Sequence, residues 1–123
     1  MSGIDKRKYP RIPVSVPVSC VSIDQAGSPL NFNMGVVKDV SQSGLAIEVY
    51  CELESDLVLL SFVDVAGMTL ELRGNAVYSK KSDSGTIKLG LLLLGKPQEN
   101  IDFVKTLARF HHYTKKSTLT GAD

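Results

Sequence analysis

At 123 residues, 43% of them apolar, the chain is one domain's length and can bury a core without disulfide or metal staples. Charged residues make up 22% and the formal net charge is +1, so no global field draws it to nucleic acid or an anionic membrane; any electrostatic attraction must be local. The longest apolar run, Leu89 to Leu94 interrupted by Gly90, is far short of the roughly 20 residues a membrane helix needs, and residues 1–6 lack the apolar core of a secretory signal, so a cytoplasmic protein is expected.

The local charge sits at the start. Lys6, Arg7, Lys8 and Arg11 face only Asp5, and with Pro10 and Pro13 among them they read as a flexible basic arm over residues 1–13. Val14, Val16, Val18 and Cys20 then alternate with polar residues and Pro17, the period of a strand with one face buried; Pro13 and Pro17 imply an edge or a bulge. After the turn at Gln25 to Pro29, a second alternation begins at Leu30, blurs at Gly35-Val36-Val37 and ends near Asp39. A polar turn, Asp39 to Gly44, leads to Leu45, Ile47, Val49 and Cys51, and Val58, Leu60 and Phe62 continue the pattern. Cys20 and Cys51 are both expected as buried free thiols.

Ala66-Gly67 closes a hairpin into Met68, Leu70, Leu72 and Gly74, where the phase is expected to slip through a bulge at Gly74-Asn75. Past the tight turn Ser82 to Gly85, the last strand, Ile87 to Leu94, is apolar on both faces and must be covered outside. The expected cover is a helix from Pro97, with Glu99 and Asp102 at its positive end and Ile101, Val104, Leu107, Ala108 and His111 at helical spacing. His111 and His112, adjacent on that helix, point about 100° apart and make a poor metal pair, so no metal is expected. The whole is a mainly β protein, a six-stranded antiparallel barrel with a C-terminal α-helix over residues 14–114, followed by a disordered tail over residues 115–123.

Two clusters carry chemistry: Arg7 and Arg11 as RxxxR, and Asp39, Ser41 and Gly44 as DxSxxG. Each alone has a bland reading, a solvated terminus and a turn stabilised by Asp and Ser side chains. Together they describe a guanine-nucleotide reader. Arginine forks grip the guanine O6/N7 edge or a phosphate, and a carboxylate accepts from the N–H groups of the opposite edge.

The two clusters resemble the signature of PilZ domains, bacterial receptors for cyclic di-GMP, and all five positions match. The resemblance implies a PilZ-like split or Greek-key barrel whose basic arm folds over its mouth, with the DxSxxG turn beneath and the ligand between. It assigns Arg7 and Arg11 to base edge, phosphate and purine stacking, Asp39 to guanine N–H groups, Ser41 to a short hydroxyl contact, and Gly44 to a close chain approach. Lys6 and Lys8 are weaker candidates acting as point charges. Tyr78 is another, should the bulge turn it outward, although burial in the core is the favoured expectation. Cyclic di-GMP is then the ligand, no other cofactor is implied, and a downstream protein in motility, biofilm or polysaccharide machinery is the expected partner.

Other classes fit less well. A ligand-free PilZ-like interaction module would lack signature residues that are present here. A small nucleic-acid-binding barrel would display aromatic platforms, whereas aromatic content is 7% with no Trp. An enzyme would need convergent catalytic groups, and here the acidic residues are scattered and the two histidines are neighbours.

Overall fold

The computed structural model describes residues 11–121, with side chains as far as Lys115. Six strands, β1 (Ile12–Ile23), β2 (Pro29–Val40), β3 (Gly44–Val49), β4 (Leu57–Val63), β5 (Thr69–Lys81) and β6 (Ile87–Leu93), precede one helix, α1 (Pro97–Gly121). The strands close into a barrel in the order β1-β2-β3-β6-β5-β4, every neighbouring pair antiparallel. Alternation explains the barrel. Val16, Val37, Leu45, Ile47, Val49, Val58 and Leu60 all point inward and are fully buried.

Two hairpins share one device. Asp24 Oδ1 accepts from the amides of Ala26 (2.9 Å) and Ser28 (2.8 Å), and Asp64 Oδ1 accepts from those of Ala66 and Met68 (both 2.9 Å). In each loop a glycine, Gly27 (φ 87°) or Gly67 (φ 82°), takes the left-handed position.

β1 pairs with β2 along nearly its whole length but with β4 only over Ser19 to Ser22. Pro13 and Pro17 fall where only β2 is paired, with a bulge between Pro13 and Val16, so the expected edge and bulge are both present. The helix closes this gap. α1 packs across β1 and β5, burying Phe103, Val104 and Leu107, and the Phe110 ring meets Phe62 edge-on at 4.9 Å. His111 Nδ1 accepts the Ser15 backbone N–H at 3.0 Å, which ties the helix to an otherwise unpaired donor.

Two expectations are overturned here. The helix does not cover the outer face of β6: it lies against β1 and β5, and Leu92 stays 45% exposed. Cys51 is exposed because β3 ends at Val49. Its backbone is held instead by Asn33, whose Oδ1 accepts from Cys51 N (3.1 Å) and whose Nδ2 donates to Cys51 O (3.3 Å). Cys20 is buried as expected, and desolvation pushes its thiol pKa up to about 11. The backbone of α1 runs on through residues 115–121, the stretch read from sequence as the start of a tail.

Candidate functional site

Strict alternation from the buried Val37 would place Asp39 inside the barrel. β2 instead has one more residue than β3 between the pairs Val37↔Ile47 and Asp39↔Ala46, and this bulge at Lys38 turns Asp39 outward while Val40 returns to the core. β5 repeats the device. Between Ala76↔Leu91 and Tyr78↔Gly90 it carries the extra residue Val77, so Tyr78 leaves the core and is 55% exposed. The favoured core position for Tyr78 is therefore corrected, and the bulge expected at Gly74-Asn75 lies at Val77.

With both bulges in place, Asp39, Ala46, Gly90 and Tyr78 form one outward row across β2, β3, β6 and β5. Three strand spacings of about 4.8 Å make the row about 14 Å long. Its middle members have almost no side chain, so the row is a trough floored by Ala46 and Gly90, with Asp39 at one end and Tyr78 at the other. A Cβ on Gly90 would stand 3.3 Å from the Tyr78 Cβ, so the Tyr78 side chain lies against bare backbone there. A cavity of about 520 Å³ follows the trough, with Leu92 and Lys88 of β6 flanking its floor.

Arg11, the residue before β1, closes the acidic end: its Nη1 donates to Asp39 Oδ1. Both side chains remain about one-third exposed, so the pair is accessible to a ligand. The turn after β2 is internally bonded. Ser41 N–H donates to Gly44 O at 2.8 Å, Ser41 Oγ donates to the same oxygen at 3.2 Å, and Leu93 N–H donates to Ser43 O at 2.9 Å. Gly44 does not take a left-handed conformation. It is required because a Cβ there would lie 2.6 Å from the Leu91 carbonyl oxygen, which fixes how closely β3 approaches β6.

Arg11, Asp39, Ser41, Gly44 and Tyr78 thus line one cavity. Arg7, Lys6 and Lys8 lie outside the described residues. Sequence reasoning missed Ala46, Gly90, Lys88 and Leu92 as parts of the site. The signal was the outward apolar face of β6, read as needing a protein cover.

A second cavity of about 530 Å³, between β5 and the start of α1, has the wrong polarity for a nucleotide. Glu71, Glu99 and Asp102 outnumber Arg73 there, Glu99 accepts the Lys96 amide (2.8 Å) and Asp102 accepts from Gln98 (2.8 Å). Among the described residues, no group of three or more His, Cys, Asp or Glu could hold a metal ion, and no helix is long and apolar enough to cross a membrane.

The chain matches the PilZ domain family over residues 5–110. Among solved structures it is similar to the PilZ domain of YcgR from Escherichia coli with c-di-GMP, at 11% identity and a TM-score of 0.60, covering 93% of this chain and 98% of that one. It is also similar to Bacillus subtilis MotI/DgrA, an inhibitor of motility, at 13% identity and a TM-score of 0.61 over 86% of this chain and 51% of that one. Klebsiella pneumoniae MrkH in its apo state matches at 16% identity and a TM-score of 0.53, over 93% of this chain and 56% of that one. The chain therefore spans about half the length of the latter two. No curated protein matches the sequence. With a family match that reaches from before β1 into α1, and a six-stranded closed barrel with one C-terminal helix in the PilZ arrangement, the chain belongs to the PilZ domain family.

Proposed function

We propose that this PilZ domain is a non-enzymatic receptor for cyclic di-GMP that acts in the cytoplasm. The observation that carries the reading is the exposed Arg11–Asp39 pair at one end of a flat-floored trough with an aromatic ring at the other. A guanine edge is recognised by such a donor and acceptor set, and the floor of Ala46 and Gly90 leaves room for a purine to lie flat. The E. coli YcgR PilZ domain, similar in fold, was solved with the same dinucleotide, which supports the assignment.

The energetics favour exchange. Arg11 and Asp39 satisfy each other, but an exposed ion pair contributes only about 0–1 kcal/mol. A bidentate arginine–guanine contact is worth about 1–3 kcal/mol, so ligand replaces the pair at a net gain. Asp39 accepts from guanine N1–H and N2–H₂, a donor pattern adenine lacks, while Arg11 and Arg7 take the O6/N7 edge and the phosphates. Ser41, its hydroxyl donated to Gly44 O, acts mainly by holding the turn in place. Lys6 and Lys8 add long-range attraction.

The basic residues ahead of β1 form the arm that closes over the ligand, and closure creates a surface for a downstream partner. MotI, named an inhibitor of motility, is consistent with such a partner in motility or biofilm machinery. Calorimetric titration with cyclic di-GMP, GTP and cyclic di-AMP tests the reading. Cyclic di-GMP alone is expected to bind, and Arg11→Ala to weaken it by roughly one to two decades, the equivalent of about 1–3 kcal/mol. Equal binding of cyclic di-AMP, or no binding of cyclic di-GMP, would refute it.

A further inference from the structure

Lys80 and Lys88 stand directly opposite each other on β5 and β6. Like charges in that position destabilise a ladder. Among the described residues neither ammonium makes an ion pair or a hydrogen bond, although Glu48 is the cross-strand neighbour of Lys88 on its other side. Lys81 adds a third cation on the same hairpin. These lysines border a cavity of about 300 Å³ that also includes Tyr78 and a single carboxylate, Asp83. A surface that keeps an unfavourable charge arrangement without a structural return is a mark of a binding site.

This cavity is continuous with the trough. Lys88 and Tyr78 line both, so the ring divides a guanine-reading end from one where three lysines outnumber the single carboxylate Asp83. From Asp39 to Lys88 is two strand spacings across, about 10 Å, and one outward position along, about 7 Å. A single nucleotide held at Arg11 and Asp39 leaves that end unfilled, whereas two joined nucleotides with two phosphodiesters reach it. A phosphodiester there would set an opposite charge against the facing Lys80 and Lys88.

We propose that Lys80 and Lys88 form an anion subsite that takes the second phosphodiester of the cyclic dinucleotide whose guanine is read at Arg11 and Asp39. This rests on the receptor reading above and extends it to residues outside both signature clusters. It makes stability and affinity move in opposite directions. Replacing Lys80 by an acid relieves its repulsion with Lys88 in the free protein and removes attraction in the complex.

The test uses the full chain and the variants Lys88→Glu, Lys80→Glu and Lys88→Arg, with cyclic di-GMP calorimetry at low and high salt and thermal melting without ligand. Lys80→Glu is expected to melt about 1–3 °C higher than the wild type, since an opposed unlike pair replaces a like one, whereas Lys88→Glu also sets an acid opposite Glu48 and should melt close to the wild type. Each acidic variant is also expected to bind roughly tenfold more weakly at low salt, with the difference shrinking at high salt. Lys88→Arg should bind like the wild type. Wild-type affinity in Lys88→Glu and Lys80→Glu, alongside a wild type that binds, would overturn the subsite and leave the receptor reading intact. A wild type that fails to bind cyclic di-GMP would remove both. In Lys80→Glu, a loss of affinity accompanied by a lower melting temperature would reassign the lysines to a structural role and overturn the proposal.

Discussion

Single residues in this barrel owe their chemistry to whether their strand turns them inward or outward. Cys20 and Cys51 sit in alternations that look alike in the sequence, yet Cys20 lies in the core and Cys51 one step past the end of β3. Burial raises the Cys20 thiol pKa to about 11, so the nucleophilic thiolate is scarce there at neutral pH and the surrounding core also blocks access. Iodoacetamide at pH 8 is therefore expected to label Cys51 in the folded protein, and Cys20 only after denaturation. Peptide mapping by mass spectrometry checks this, and prompt labelling of Cys20 under native conditions would contradict the packing. Asp39 shows the same dependence on direction. The two motifs, 28 positions apart, implied that it shares a ligand with Arg11, while the direct pairing of the two depends on a bulge that brings the carboxylate out to meet the guanidinium.

Elements set those directions, and here the decisive ones are irregular. Period-two alternation identified the first five strands, where inward apolar residues recur every second residue, and an apolar run identified the sixth, but alternation does not locate an extra residue reliably. The β2 bulge at Lys38 falls where the alternation had already blurred, and the β5 bulge was expected beside Gly74, a residue with no side chain to report its face. Between them, β3 and β6 must approach closely enough to keep the trough floor flat. Gly44 permits this, because a Cβ there would meet the Leu91 carbonyl at 2.6 Å. Gly44→Ala is expected to cost about 1–3 kcal/mol through forced strand separation. Gly74→Ala makes a control, since a Cβ there meets Leu92 O at an ordinary 3.5 Å, and its cost should be well under that of Gly44→Ala. Urea unfolding of the two variants measures the difference, and equal losses would show that the β3–β6 approach is not what Gly44 protects.

At the scale of the whole molecule, the barrel supplies a rigid wall and the basic leader, on the receptor reading, supplies the moving part. Residues 4–13 carry four cations against one acid and few apolar anchors, so ligand is expected to order them. Amide hydrogen exchange with and without cyclic di-GMP should show protection gained there and little change at Val37, Leu45 or Leu60, which are buried already. Unchanged exchange over residues 4–13 in the presence of bound ligand would remove arm closure from the mechanism. The sequence by itself determined the fold class, the succession of strands and helix, and the two motifs, because alternation, turn residues and side-chain chemistry are local properties. Only the tertiary structure decided that the helix closes the β1–β4 gap instead of covering β6, that Tyr78 stands outside, and that Ala46, Gly90, Lys80 and Lys88 join the motif residues on one surface. These outcomes depend on the register between strands distant in the chain, and a single bulge is enough to reverse which way a side chain points.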